Sequence, residues 1–442
     1  MLTLIYLLIT IVFIVLSTAK YKVHPFLTLL IASLGMGVLS GLDVNFVVKT
    51  VSEGFGNTLK SIGIIIACGS IIGTFLEKTG AAKSIANKVL QVVGNKNSAL
   101  AMNLTGSIVS IPVFCDSGFV ILSTLNNAIN KKTGISLSVL GTSLAAGLYA
   151  THVFVPPTPG PLAAASIIGA DVGLVLIFGL LIAIPVSIVG WLWASYYCSR
   201  FSINQKIDND NLNIETKSHT NLTMSVLPII IPIVLITLKS IINHPTIELE
   251  NLFINNVISF CGHPIIAILF GVFIAMFSAT NFSLEQHFDW VSSALKSAGV
   301  IILITGAGGA FGNILRATSI GDTISQSLLT FEVGLLLPFI IAAFLKTAQG
   351  SSTVSIITTS AMVLPLLDSL GLSSEMGKVL TVLSIGAGAM TVSHLNDSYF
   401  WIVSQFSNMN TKTALHCHTA STLLQGLTSI VLIKIISLFL LV

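Results

Sequence analysis

Apolar runs long enough to cross a bilayer recur along almost the whole chain. They lie at about residues 2–17, 25–41, 61–76, 172–198, 224–242, 254–279, 298–313 and 417–442. A hydrocarbon core of about 30 Å takes roughly 20 helical residues, so each run predicts a membrane-spanning helix. Other apolar stretches are interrupted by polar and small residues. The first covers 107–122, with IPVFCDSG at 111–118, and the second covers 344–356, with KTAQGSST at 346–353. Each is followed by a further interruption, THVFVPPTPGP at 151–161 and SHLNDS at 393–398. The longest polar stretch, 199–223, lacks apolar periodicity and reads as a linker between 1–198 and 224–442.

The two parts resemble each other. Leu59-Lys60-Ser61-x-Gly63 recurs as Leu295-Lys296-Ser297-x-Gly299, and Gly73-x-Phe75 recurs as Gly309-x-Phe311 at the same offset. Two matches in register predict an internal repeat. Placing 18–24, 77–97, 130–136 and 199–223 inside puts most Lys and Arg in the cytoplasm, as positive-inside topology requires. The 243–253 loop, with Glu248 and Glu250, then lies outside. If the first interrupted stretch is a re-entrant hairpin, each half has about five crossings, and an odd number inverts the second copy. The expected fold is an all-α polytopic membrane protein of two inverted repeats, each with a re-entrant hairpin and a discontinuous helix.

Composition agrees. The chain of 442 residues is 53% hydrophobic and 8% charged, with a mean hydropathy of +0.94, against roughly a quarter charged in soluble domains. No Lys or Arg precedes the first run, whereas Lys20 and Lys22 follow it, which predicts a retained helix with its N-terminus outside. The net charge of +3 forms no basic face, so nucleic acid is not an expected partner. The five cysteines form no CxxC pair, and no disulfide framework is expected. In His416-Cys417-His418, neighbouring helical side chains diverge, so no metal site is expected. Gly308 and Gly312 have the spacing of close helix packing rather than of a nucleotide loop. HExxH and GxSxG are absent, so neither an enzyme nor a cofactor is expected.

The interruptions are the candidate site. Unwound chain at membrane depth survives only beside protein or a wet cavity, and breaks at matching places of two inverted halves point to a transporter's binding site. Asp116, with Ser117 and Gly118, is either a proton or substrate group or an N-cap. Lys346 needs a carboxylate partner or an anionic substrate, unless it snorkels to the surface. Gln349, Gly350, Ser351, Ser352 and Thr353 offer an amide, hydroxyls and N–H groups to a polyhydroxylated ligand, and equally suit a tightly packed hairpin tip. His152 and His394 stand at equivalent breaks as proton-shuttle or capping candidates. Asn396 is a further binding candidate, and Asp397 a second proton carrier.

IPVFCDSGF, THVFVPPTPGP, LKTAQGSSTV and SHLNDSYFW resemble four signatures of the gluconate:proton symporter (GntP) family, in the same order and over nearly the whole chain. The resemblance implies scaffold and transport domains of the elevator type and a homodimer. It also implies proton-driven import of gluconate or a related small hydroxy-acid or amino acid, such as glycerate or D-serine, across the bacterial inner membrane. Lys346 stands where the family leads one to expect arginine, and Thr158 where it leads one to expect histidine. Lysine lacks the planar two-pronged grip of arginine on a carboxylate. Sodium coupling, with carbonyls near 351–353 holding the ion, is the closest competing reading. A passive channel is a more distant one.

Overall fold

The structure, a computed structural model, describes residues 2–203, 221–242, 252–318, 334–395 and 397–441. Every regular element among them is helical. The first part contains α1 (Leu2–Val15), α2 (Pro25–Leu39), α3 (Val44–Lys78), α4 (Ala81–Val93), α5 (Ser98–Val109), α6 (Cys115–Thr133), α7 (Leu137–Phe154), α8 (Pro159–Ile168) and α9 (Val172–Tyr196). The second contains α10 (Leu222–Ile242), α11 (Leu252–Cys261), α12 (Pro264–Phe277), α13 (Leu284–Ala317), α14 (Leu336–Gln349), α15 (Ser352–Val363), α16 (Glu375–Met390), α17 (Ser398–Phe406) and α18, continuous over Thr411–Leu440 with a π turn at Leu415–Thr419. A long helix, a split pair, a second split pair and a final long helix follow one another in the same order in both parts.

Six of the described helices are long and apolar enough to cross a membrane, or seven counting one bent pair. Several sequence-derived boundaries change. The runs at 61–76 and 298–313 are the central portions of α3 and α13, helices of 35 and 34 residues. The run at 254–279 is not one straight helix. It bends by 65° between α11 and α12, where Gly262 lies against the Leu235 carbonyl and Pro264 opens a new helix. The linker also begins later than 199. Residues 198–200 form a 3₁₀ turn, and Ser136 and Ser138 donate to the Phe201 carbonyl at 2.7 and 2.6 Å. Residues 204–220 and 243–251, which include Glu248 and Glu250, lie outside the described residues.

Burial separates inner from outer helices. All residues of α7 are buried, and its sequence carries no Asp, Glu, Lys or Arg. On α18 the exposed apolar side chains Leu423, Leu427, Val431 and Ile435 recur every fourth residue. Ile230, Val234, Leu238 and Ile241 form a similar stripe on α10. Such one-sided apolar stripes on otherwise apolar helices suit contact with lipid.

Polar side chains tie the inner helices together. Asn103 Nδ2 on α5 donates to the carbonyls of Ser143 on α7 and Ser187 on α9, at 3.0 and 3.1 Å. Gln425 Nε2 on α18 donates to Ala146 on α7 and Val186 on α9, at 3.1 and 3.2 Å. Hydrogen bonds of this kind hold helices together where lipid gives them no hydrophobic reason to associate. The long helices α3 and α13 pack together through glycine. A Cβ on Gly54 would stand 2.9 Å from the Ala310 Cα. Gly308 and Gly312 instead face Ile357 and Ala361 of α15, which confirms their reading as packing residues.

Candidate functional site

Four breaks interrupt the inner helices. α5 stops at Val109, and the turn 110–114 contains Pro112, whose ring cannot continue a helix. α14 stops at Gly350, whose φ of +85° is the left-handed conformation that glycine adopts without a Cβ penalty. α7 gives way to 155–158 before Pro159 starts α8, and α16 gives way to 391–397 before α17. These unwound segments are shorter than the sequence intervals suggested. Asp116, Ser117 and Gly118 already belong to the first turn of α6. His152 lies in the last turn of α7, and Lys346 in that of α14.

The Lys346 ammonium does not snorkel; the residue is 1% exposed. Its Nζ lies 2.5 Å from Asp397 Oδ2, joining the end of α14 to the start of α17. It also donates to the Gly350 carbonyl at 2.6 Å, and the Tyr149 ring lies 5.8 Å away. Asp397 uses both oxygens. Oδ1 accepts the Tyr399 N–H at 3.0 Å as the N-cap of α17, while Oδ2 accepts from Lys346 and from the Ser393 hydroxyl, the latter at 2.5 Å. An ion pair taken out of water needs such additional hydrogen bonds to offset the loss of hydration.

The N-cap of α6 is Phe114 rather than Asp116, which corrects the capping reading. Asp116 is half-buried in the first turn, where the helix dipole favours a negative charge. Its carboxylate is close enough to Asp397, Lys346 and Ser398 for all three to act on it. Ser117 is half-buried beside it. Gly118 is a packing residue, since a Cβ there would meet Leu148 at 2.8 Å.

Ser351 caps α15, accepting the Val354 N–H at 3.3 Å, and Ser352 and Thr353 form the first turn. Replacing Ser351 by alanine should lower stability by about 0.5–2 kcal/mol, the usual cost of a lost cap, measurable as a lower Tm of the purified protein. Both side-chain polar atoms of Gln349 are buried without a hydrogen-bond partner among the described residues, as is His152 Nδ1. His394 is half-buried and donates from Nε2 to the Thr347 carbonyl at 3.0 Å, so it braces the break and does not touch the ion pair. Asn396 lies outside the described residues.

Three residues in this region were not among the sequence candidates. Ser393 bonds Asp397, Tyr149 flanks Lys346, and His418 is 1% exposed with Nε2 3.1 Å from Ser393 Oγ. The signal for His418 was present: a histidine entering an apolar span needs a partner. No cluster of three or more His, Cys, Asp or Glu able to hold a metal exists among the described residues.

The fold resembles two solved transporters. Neisseria gonorrhoeae MtrF superposes with a TM-score of 0.67 at 13% identity, covering 95% of this chain and 96% of that one. The Alcanivorax borkumensis YdaH transporter gives 0.64 at 16% identity, covering 94% and 99%. The chain is 31% identical to a gluconate permease of Pseudomonas aeruginosa, over 98% of this chain and 97% of the relative. It is 32% identical to the D-serine transporter DsdX of Escherichia coli, over 96% of each. The model of the GntP family permease matches residues 2–439. The chain therefore belongs to the GntP family of permeases and is a transmembrane transporter, not an enzyme.

Proposed function

We propose that this permease imports gluconate or a related small hydroxy-carboxylate with a proton across the bacterial inner membrane. The observation that carries this reading is the buried Lys346–Asp397 pair joining two helix breaks. As it stands the pair is neutral. Adding a carboxylate beside it would leave a net buried charge, at an effective cost of several kcal/mol. Protonation of Asp397 removes that obstacle. The acid releases Lys346, and the substrate carboxylate takes the place of the Asp397 carboxylate against the ammonium. Anion and proton then bind together without changing the net charge of the site.

The other polar groups fit the rest of the ligand. Gln349 and His152 have uncommitted polar atoms, and the hydroxyls of Ser351, Ser352 and Thr353 surround the tip of the α14–α15 turn. Gluconate and D-serine, the substrates named for the two relatives, both carry a carboxylate beside a polar-substituted carbon. Asp116 is the second carboxylate of the site and the alternative proton carrier. The repeated order of elements supports two repeats, 1–198 and 224–442; their inversion rests on the charge pattern, and scaffold and transport domains of the elevator type rest on the family resemblance. A homodimeric arrangement rests on the family resemblance.

Uptake into proteoliposomes under an inward proton gradient, without sodium, tests the reading. Gluconate should accumulate, and glycerate and D-serine should be assayed as competitors. Accumulation that follows sodium and ignores the pH gradient would replace proton coupling with sodium coupling.

A further inference from the structure

We propose that His418 exchanges the coupling proton with Asp397 through the hydroxyl of Ser393. This rests on reading Asp397 as the proton carrier. The three groups form a continuous buried chain. His418 Nε2 lies 3.1 Å from Ser393 Oγ, which lies 2.5 Å from Asp397 Oδ2, the same oxygen that meets Lys346. All three residues are at most 4% exposed: His418 1%, Ser393 0% and Asp397 4%.

The middle link is held firmly by the helix that carries the histidine. The Ser393 N–H donates to Thr422 Oγ1 at 3.0 Å, and its carbonyl accepts from Thr419 Oγ1 at 2.5 Å. His418 lies in the π turn Leu415–Thr419, and such turns are frequent at functional positions. Asp397 and Lys346 are the charged groups that act on its ring. Tyr399 and Phe400 pack on it, with centroids 5.3 and 6.4 Å away. Two residues earlier, His416 stacks on Phe201, near the start of the 204–220 linker, so the chain of groups runs from the ion pair towards that end of the molecule.

A serine hydroxyl can accept one proton while giving up another, and a neutral imidazole nitrogen can accept a proton. In the release step, the Asp397 O–H bond breaks as its proton passes to Ser393 Oγ. The Ser393 O–H bond breaks as that proton passes to Nε2 of a neutral His418 protonated on Nδ1. Serine is regenerated, Asp397 becomes a carboxylate and His418 an imidazolium. The carboxylate then re-forms its pair with Lys346, in the place that the departing substrate anion has left. The imidazolium then gives its Nδ1 proton to water, and exchange with water returns the ring to the Nδ1-protonated tautomer.

The test compares two transport modes of the full-length protein in proteoliposomes. Accumulation driven by a pH gradient requires the carrier to load and unload its proton. Counterflow of labelled against unlabelled gluconate requires only that substrate exchange at each face while Asp397 keeps its proton and the loaded carrier moves back and forth. His418→Gln and Ser393→Ala should slow accumulation by about tenfold or more, as loss of a positioned proton-transfer group does. Both should slow counterflow far less than accumulation, because that mode needs no proton transfer. Ser393→Thr, which keeps a hydroxyl, should restore accumulation. Undiminished accumulation in His418→Gln, or an equal loss of both modes at unchanged Tm, would overturn the relay. If His418→Gln fails to fold, the Ser393 pair reads the same step. If the unmutated protein shows counterflow but no pH-driven accumulation, it is the proton-carrier reading of Asp397 that fails.

Discussion

Asp397→Asn is expected to abolish accumulation of substrate against its gradient while leaving substrate binding intact. The change removes the group that takes up the proton and leaves the Lys346 ammonium buried without its counter-charge. Breaking a buried pair on one side costs about 3–5 kcal/mol, so the substrate-free protein should melt well below the unmutated one. A carboxylate ligand would then supply the missing negative charge. Gluconate should therefore raise the Tm of Asp397→Asn more than that of the unmutated protein, although the variant cannot couple. Replacing both partners by apolar residues, Lys346→Met with Asp397→Leu, should recover much of the stability and none of the transport. A purely structural ion pair would give the opposite outcome for transport, with activity returning alongside stability.

Gln349→Ala should raise the KM for gluconate by about tenfold or more without lowering the Tm. A buried amide left unsatisfied costs about 1–3 kcal/mol, and neither of its side-chain polar atoms has a partner among the described residues. Removing it takes away a penalty in the empty protein and an interaction in the loaded one. A difference of 1.4 kcal/mol corresponds to about tenfold in affinity. Stability and affinity should thus move in different directions, or affinity alone should move. A fall in Tm with no change in KM would show that Gln349 packs the α14–α15 turn and does not touch substrate. Titrating uptake rate against gluconate concentration, with a melting curve on the same preparation, separates the two.

The class of this protein was legible because apolar runs and their interruptions are local features of a sequence. Pro112, Gly350 and the prolines at 156, 157 and 159 interrupt helices through their own backbone restrictions, although Pro185 is accommodated within α9 and Pro228 and Pro232 within α10. The extent of each break was less legible. Cys115 to Gly118 are helical because apolar packing against α7, with Leu148 against Gly118, continues through a stretch that looks polar. The 65° bend after Cys261 leaves no mark on mean hydropathy, which is blind to one Gly-His-Pro junction.

The site divided in the same way. Lys346 and Asp397 were singled out separately because a charge among apolar residues is conspicuous. That they face each other could not be read from residues 51 apart in the chain. His418 shows the limit more sharply. Its partner Ser393 is 25 residues away, and only the return of α18 to the break brings them together. His394, closer in sequence to Asp397, bonds the Thr347 carbonyl instead.

Measuring protons taken up when gluconate binds to the purified protein tests the exchange at Lys346 most directly. Calorimetric titrations in buffers of different ionisation heat supply the number. The unmutated protein should take up a proton with each anion, and Asp397→Asn should bind the anion and take up none. Binding without proton uptake in the unmutated protein, or unchanged uptake in Asp397→Asn, would contradict the exchange of Asp397 for substrate at the Lys346 ammonium.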